Sequence, residues 1–126
     1  MREDNQQKVS YSSRKFFENG MRSHNAVKNI ENLGDNLYLI ERLHNKTDLK
    51  ILVADIYIVG EADIMEINPT LLGIDSIVLI GFYNRYSFAA KEYAKTLGVG
   101  IFDNREFFGA INYTDKAFID YKLKEK

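Results

Sequence analysis

Two short segments hold the densest sets of residues able to grip a ligand: Gly81-Phe-Tyr-Asn-Arg-Tyr-Ser87 and Asp103-Asn-Arg-Glu106. Arg85 and Arg105 supply fixed positive charge, and Tyr83, Asn84, Tyr86 and Asn104 supply hydrogen-bonding groups. Ser87 and Asp103 are placed to cap helices that follow, and Asp103 and Glu106 have capping-box spacing. Backbone N–H groups at such helix starts favour anions, so the chemistry these types suggest is capture of a phosphate-bearing ligand. The plainer reading of the same residues is structural: Ser87 and Asp103 as caps, Asn84 in a tight turn, both arginines in solvent. Phe82, Tyr83, Tyr86 and Phe88 offer either a stacking platform for a base, each stacked base contributing about 1 to 3 kcal/mol, or packing against a neighbouring helix.

The elements on either side of these segments are the clearest in the chain. Ser76-Ile-Val-Leu-Ile-Gly81 is a short β-branched, apolar run, the pattern of a strand buried on both faces. Ser87 to Leu97 reads as a helix closed by Gly98, Val99-Gly-Ile-Phe102 as a second buried strand, and Arg105 to Ile111 as a second helix. Ligands of open sheets with parallel strands bind beyond the strands' carboxyl ends, and that rule selects the two loops.

Upstream, the spacing predicts a helix from Arg14, capped by Ser12 or Ser13, with Phe16, Phe17 and Met21 on one face and Ala26, Val27 and Ile30 continuing it. Gly20 interrupts the pattern, and Asn32-Leu-Gly-Asp35 is expected to end it. Leu37 to Leu43 and Leu49 to Val59 read as an antiparallel hairpin about His44-Asn-Lys-Thr-Asp48, with Asp55 the one charged interior position of the longer strand. Glu61 to Leu72 is expected to be the helical crossover that parallel strands require, broken at Asn68 before Pro69; a second hairpin turning at Gly60-Glu61 is the competing reading. From Tyr113 onward the pattern fits either an exposed edge strand, with Ile119, Tyr121 and Leu123 alternating, or a helix begun at Thr114. Such an edge, in a chain with 8 Phe and 8 Tyr, would favour a homo-oligomer.

Composition narrows the classes. The 126 residues lack cysteine, which removes disulfides, thiolate chemistry and cysteine-built metal sites and fits a reducing cytoplasm. The polar first residues and the short apolar runs predict neither signal peptide nor membrane span. Net charge of -1 argues against coating nucleic acid by bulk electrostatics. Charge is uneven: residues 1–34 carry +2, residues 35–75 carry -5 and residues 76–126 carry +2. An acidic middle either holds a metal or forms a solvated face. His24 and His44 lack metal-ligand spacing and are expected on the surface, and there is neither a Walker loop nor G-x-G-x-x-G.

The run from Ile74 to Ile111 resembles the C-terminal half of the restriction endonuclease-like fold, especially Mrr-type domains. The likeness lies in a buried strand ending in a polar turn, the helix segment Ala89-Ala-Lys-Glu-Tyr-Ala94-Lys, the strand Gly98-Val-Gly-Ile-Phe-Asp103 and a last helix. In that family an Asp, followed after a strand by Asp/Glu-x-Lys, holds magnesium while the lysine polarises the attacking water. The arrangement here that comes nearest is Asp55 with Glu66-Ile67-Asn68. Asn68 stands where the family has lysine, and a helical Glu61 to Asn68 takes Glu66 off the sheet; both count against a nuclease.

The expected architecture is therefore a three-layer α/β domain over 12–126, behind a disordered segment 1–11: N-terminal helix, β-hairpin, then β-α-β-α-β-α with parallel strands. The expected function is a non-enzymatic binding or regulatory module for a phosphate-bearing ligand or nucleic acid, working without a cofactor through Tyr83, Asn84, Arg85, Tyr86, Ser87, Asp103, Asn104 and Arg105. The alternative is a magnesium-dependent nuclease using Asp55, Glu66 and Asn68.

Overall fold

The protein is described by a computed structural model covering residues 9–122. Its centre is β5, Ser76–Leu79, four residues buried on both faces. It pairs in parallel with β3, Leu49–Ala54, on one side and with β7, Gly100–Asp103, on the other. Beyond β3 lie β2, Leu37–Arg42, and the edge strand β1, Val27–Gly34, both antiparallel, giving the order β1-β2-β3-β5-β7.

Side-chain alternation divides the core into two layers. Ile51, Val53, Val78, Ile80 and Phe102 face one way, under α1 (Tyr11–Arg22), α5 (Asn104–Ala110) and α6 (Asp115–Ile119). Leu52, Ala54, Ile77, Leu79 and Ile101 face the other, under α2 (Glu61–Ile67), α3 (Pro69–Leu72) and α4 (Phe88–Thr96). The three layers and the two parallel crossovers follow the expected α/β architecture, including the helical crossover broken at Asn68, whose φ of 57° turns the chain into Pro69. Ser87 and Asp103 cap α4 and α5 as expected, and Gly98, at φ 75°, lets the chain leave α4 for β7.

Three expectations are corrected. The first helix does not continue through Ala26, Val27 and Ile30. It is capped by Ser10 and stops at Arg22; His24 then accepts the Ala26 N–H on Nδ1 and donates from Nε2 to the Phe108 carbonyl, turning the chain into β1. That also makes His24 a part-buried turn residue rather than a surface one. Val27 and Ile30 pair with β2, where β-branched side chains fit better than in a helix; Asn32 to Gly34 continue β1 rather than end a helix, and the hairpin turns at Asp35-Asn36.

The second correction is to the long strand 49–59, which ends at Ala54. The chain leaves the sheet at Asp55 and makes β4, Ile58–Val59, which pairs in parallel with β6, Arg85–Tyr86, as a separate ribbon. The third concerns the tail, where of the two readings the helix begun at Thr114 holds and the edge strand does not: the described part is α6, because Phe118 turns inward against Phe102 and Phe107. The strand edge that would favour self-association is thus not formed by Ile119 and Tyr121; Leu123 and residues 1–8 of the expected disordered segment lie outside the described residues.

Ile80 is buried beside Val78 at the carboxyl end of β5. Ile80→Ala should lower stability by about 2 to 4 kcal/mol through lost burial and an unfilled cavity. Chemical denaturation monitored by circular dichroism is the check, and an unchanged midpoint would contradict the two-sided core.

Candidate functional site

The carboxyl ends of β3, β5 and β7 lie side by side, and the chain opens a cleft there of about 550 Å³. Its walls come from three places: Ser12, Ser13 and Phe16 on α1; Gly81 to Asn84 after β5; Asp103, Asn104 and Arg105 at the start of α5. The size falls within the roughly 300 to 1,000 Å³ of small-molecule sites.

One clasp shapes the loop after β5. The Asn84 side chain accepts the Gly81 N–H at 3.0 Å through Oδ1 and donates through Nδ2 to Asp55 Oδ1, also at 3.0 Å. Gly81 is required there, since a Cβ would overlap the Asp55 carboxylate and crowd Asn84 Oδ1. The loop tightened in this way carries Tyr83 at φ 64°, a left-handed conformation that costs a non-glycine residue on the order of 1 kcal/mol. It holds Phe82 and Tyr83 outward, each 86% exposed, with ring centroids 6.2 Å apart. Phe16, 69% exposed, adds a third ring from α1. A second hollow of about 290 Å³ adjoins the cleft and shares Phe16, Asn104 and Arg105 with it.

Leu79 and Ile80 also line the cleft, and the α5 cap stands beside them. Asp103 Oδ1 accepts the Glu106 N–H at 2.8 Å and Glu106 Oε1 accepts the Asp103 N–H at 3.0 Å, the reciprocal capping box that the spacing predicts. Asn104 Oδ1 is buried with no hydrogen-bond partner. Arg105 is exposed at the cleft and is the one cationic residue among the described residues lining it.

Of the residues singled out in sequence, Tyr83, Asn84, Asp103, Asn104 and Arg105 meet in the cleft. Arg85, Tyr86 and Ser87 do not. Arg85 belongs to β6 and lays its guanidinium over Tyr57, 5.4 Å from the ring centre, so the expected pair of arginines is divided. The Tyr86 hydroxyl donates to the Glu106 carboxylate at 2.8 to 2.9 Å, and burial together with that bond raises its pKa well above the usual phenol value. Ser87 is occupied by the Ala90 N–H.

The carboxylate arrangement sought for a nuclease is not assembled. Asp55 lies past the end of β3 in the Asn84 clasp, Glu66 lies exposed on α2, and Asn68 forms the break between α2 and α3. Among the described residues no group of three or more His, Asp or Glu side chains is placed to hold a metal ion.

Sequence reasoning missed the α1 wall and one buried cation. Neighbours in a helix diverge by about 100°, so Phe16 and Phe17 cannot both face the core; Phe17 is fully buried and Phe16 turns to the cleft. Lys91, on α4, is buried, donates from Nζ to the Ile101 carbonyl at 2.8 Å and the Tyr121 carbonyl at 3.2 Å, and lies 4.3 Å from the centre of the Phe102 ring. Only its place on the inward face of α4 could have signalled this.

Geometry therefore defines a mixed α/β domain with an aromatic-rimmed cleft at the carboxyl edge of its parallel strands. Comparisons with family models, with curated proteins and with solved structures find no match to this chain.

Burial lowers the Lys91 pKa to about 8 from 10.5, the Glu106 carboxylate opposing the shift in part. The unfolded chain therefore holds this proton more tightly than the folded one, and between about pH 8 and 10.5 stability contributed at this site rises with pH. The stability of the native protein relative to Lys91→Met should climb by on the order of 2 kcal/mol across that window and stay level below it. Urea denaturation of both proteins at a series of pH values reads the difference; a level difference throughout would contradict a buried ammonium.

Proposed function

We propose that this protein is a non-enzymatic binding module that takes a phosphate-bearing ligand, a nucleotide or nucleic acid, in the cleft beyond β5 and β7. The observation that carries the reading is the convergence of the exposed rings of Phe16, Phe82 and Tyr83 with Arg105 around one hollow. Large aromatic side chains held outward contribute nothing to the core, and Tyr83 is held so in an unfavourable backbone conformation. Cost of this kind, retained in a rigid loop, is typical of ligand-contacting segments.

Two further features support it. Rings offer π faces to a base, and an arginine fork matches phosphate oxygens with charge-assisted hydrogen bonds. The Asn84 clasp fixes the loop before any ligand arrives, which reduces the ordering cost of binding.

Calorimetric titration with nucleotides and a short single-stranded oligonucleotide tests the proposal. The native protein should bind, and both Arg105→Ala and the double variant Phe82→Ala/Tyr83→Ala should weaken binding at least tenfold while melting as the native protein does. Binding equal in all three proteins, or none by the native one, would overturn it.

A further inference from the structure

We infer that the cleft is built for one nucleotide carrying a single phosphate group, a nucleoside monophosphate, rather than for a polyphosphate or a run of nucleic acid. The inference rests on the binding reading above and adds the ligand's size and charge. Of the described residues lining the cleft, Arg105 alone is cationic. Arg85, the other candidate, is turned away over Tyr57, and Lys91 is buried against the Ile101 and Tyr121 carbonyls.

Two carboxylates stand close to the cleft among the described residues. Asp103 lines the cleft while capping α5, and Asp55 stands behind Gly81 in the Asn84 clasp. One guanidinium can pair with one phosphate group by two parallel hydrogen bonds. A second or third phosphate would find no further cation among the described lining residues and would approach these carboxylates. Triphosphate sites ordinarily answer that charge with a phosphate-wrapping loop, a lysine and a magnesium ion, and the described residues provide no such loop and no three-residue metal cluster.

A long nucleic acid is disfavoured on the same ground. Its backbone needs a track of cations, whereas this chain has a net charge of -1 and a single arginine among the described lining residues. What the cleft does offer is suited to one base and its sugar: about 550 Å³ of space, and Phe82 and Tyr83 inclined at 57° to each other, so that a planar ring stacks on one and meets the other at an angle.

The experiment is a calorimetric series on the full chain without divalent metal: adenosine and cytidine, their 5′-monophosphates, their 5′-triphosphates, and inorganic phosphate. For at least one base, the monophosphate should bind ten times or more tighter than the nucleoside, and the triphosphate no more than threefold tighter than the monophosphate. Inorganic phosphate alone should bind at least tenfold more weakly than that monophosphate. Arg105→Ala should bring the monophosphate to the affinity of the nucleoside with the melting temperature unchanged. A triphosphate preferred tenfold or more, or a nucleoside that binds as well as its monophosphate, overturns this inference and leaves the binding module standing. No binding by any of these ligands overturns the inference, and if the oligonucleotide also fails, the binding module falls with it.

Discussion

Everything else in the fold is arranged around the two-sided burial of β5. Four consecutive residues with no solvent contact require helices on both faces, and parallel pairing on both edges requires a crossover before the strand and another after it. Those demands set the order β3-β5-β7 and bring three carboxyl ends to one side of the molecule. Ile80, one residue past β5, still points into the core, so the chain cannot leave the sheet before Gly81. The loop must then turn sharply in the space between Asp55 and Asn84. The cleft is a consequence of where that turn is forced to occur.

The loop stabilises a shape at the expense of favourable exposure. The Asn84 amide bonds to the Gly81 backbone and to Asp55, and together they replace the ladder hydrogen bonds lost beyond the strand. In return Tyr83 is left-handed, and Phe82 and Tyr83 stand in water. An Asp55 that holds this loop accounts for a carboxylate at the end of an apolar strand without any metal chemistry. The neighbouring network has a similar structural role: Tyr86 locks Glu106, Glu106 closes the α5 cap, and Lys91 ties α4 to β7 and to the chain after α6. These bonds fix the α5 N-terminus, and with it Arg105, relative to β7.

Where the sequence pattern was governed by neighbours close in the chain, it was readable. The apolar run of β5, the Ser87 cap, the capping box of Asp103 and Glu106 and the break at Asn68-Pro69 each follow from local rules. Val27 and Ile30 misled because their spacing is compatible with a helix; Ser23 caps that helix early, and the His24 bonds to Ala26 and to distant Phe108 turn the chain away. At the tail the alternation over Ala117 to Tyr121 leaves strand and helix both open, and Phe118, drawn in by Phe102 and Phe107, decides for the helix. At the cleft, the two loops were visible from their position after buried strands. The separation of Arg85 from Arg105 was not, because it depends on the β4–β6 ribbon, two residues long in each strand and set by tertiary packing. The α1 wall was hidden for the same reason, since which of Phe16 and Phe17 faces inward is decided by the rotation of α1 on the sheet.

The central claim of the proposal is that a ligand binds at the carboxyl edge of β5 and β7. Backbone amide chemical shifts of the isotope-labelled protein, followed during titration with a nucleoside monophosphate, locate binding directly. Saturable shifts confined to Ser12 through Phe16, Gly81 through Asn84 and Asp103 through Arg105 are the predicted result. Absent shifts, or shifts centred on Arg85 and Tyr57 or on the outer face of β1, would contradict it.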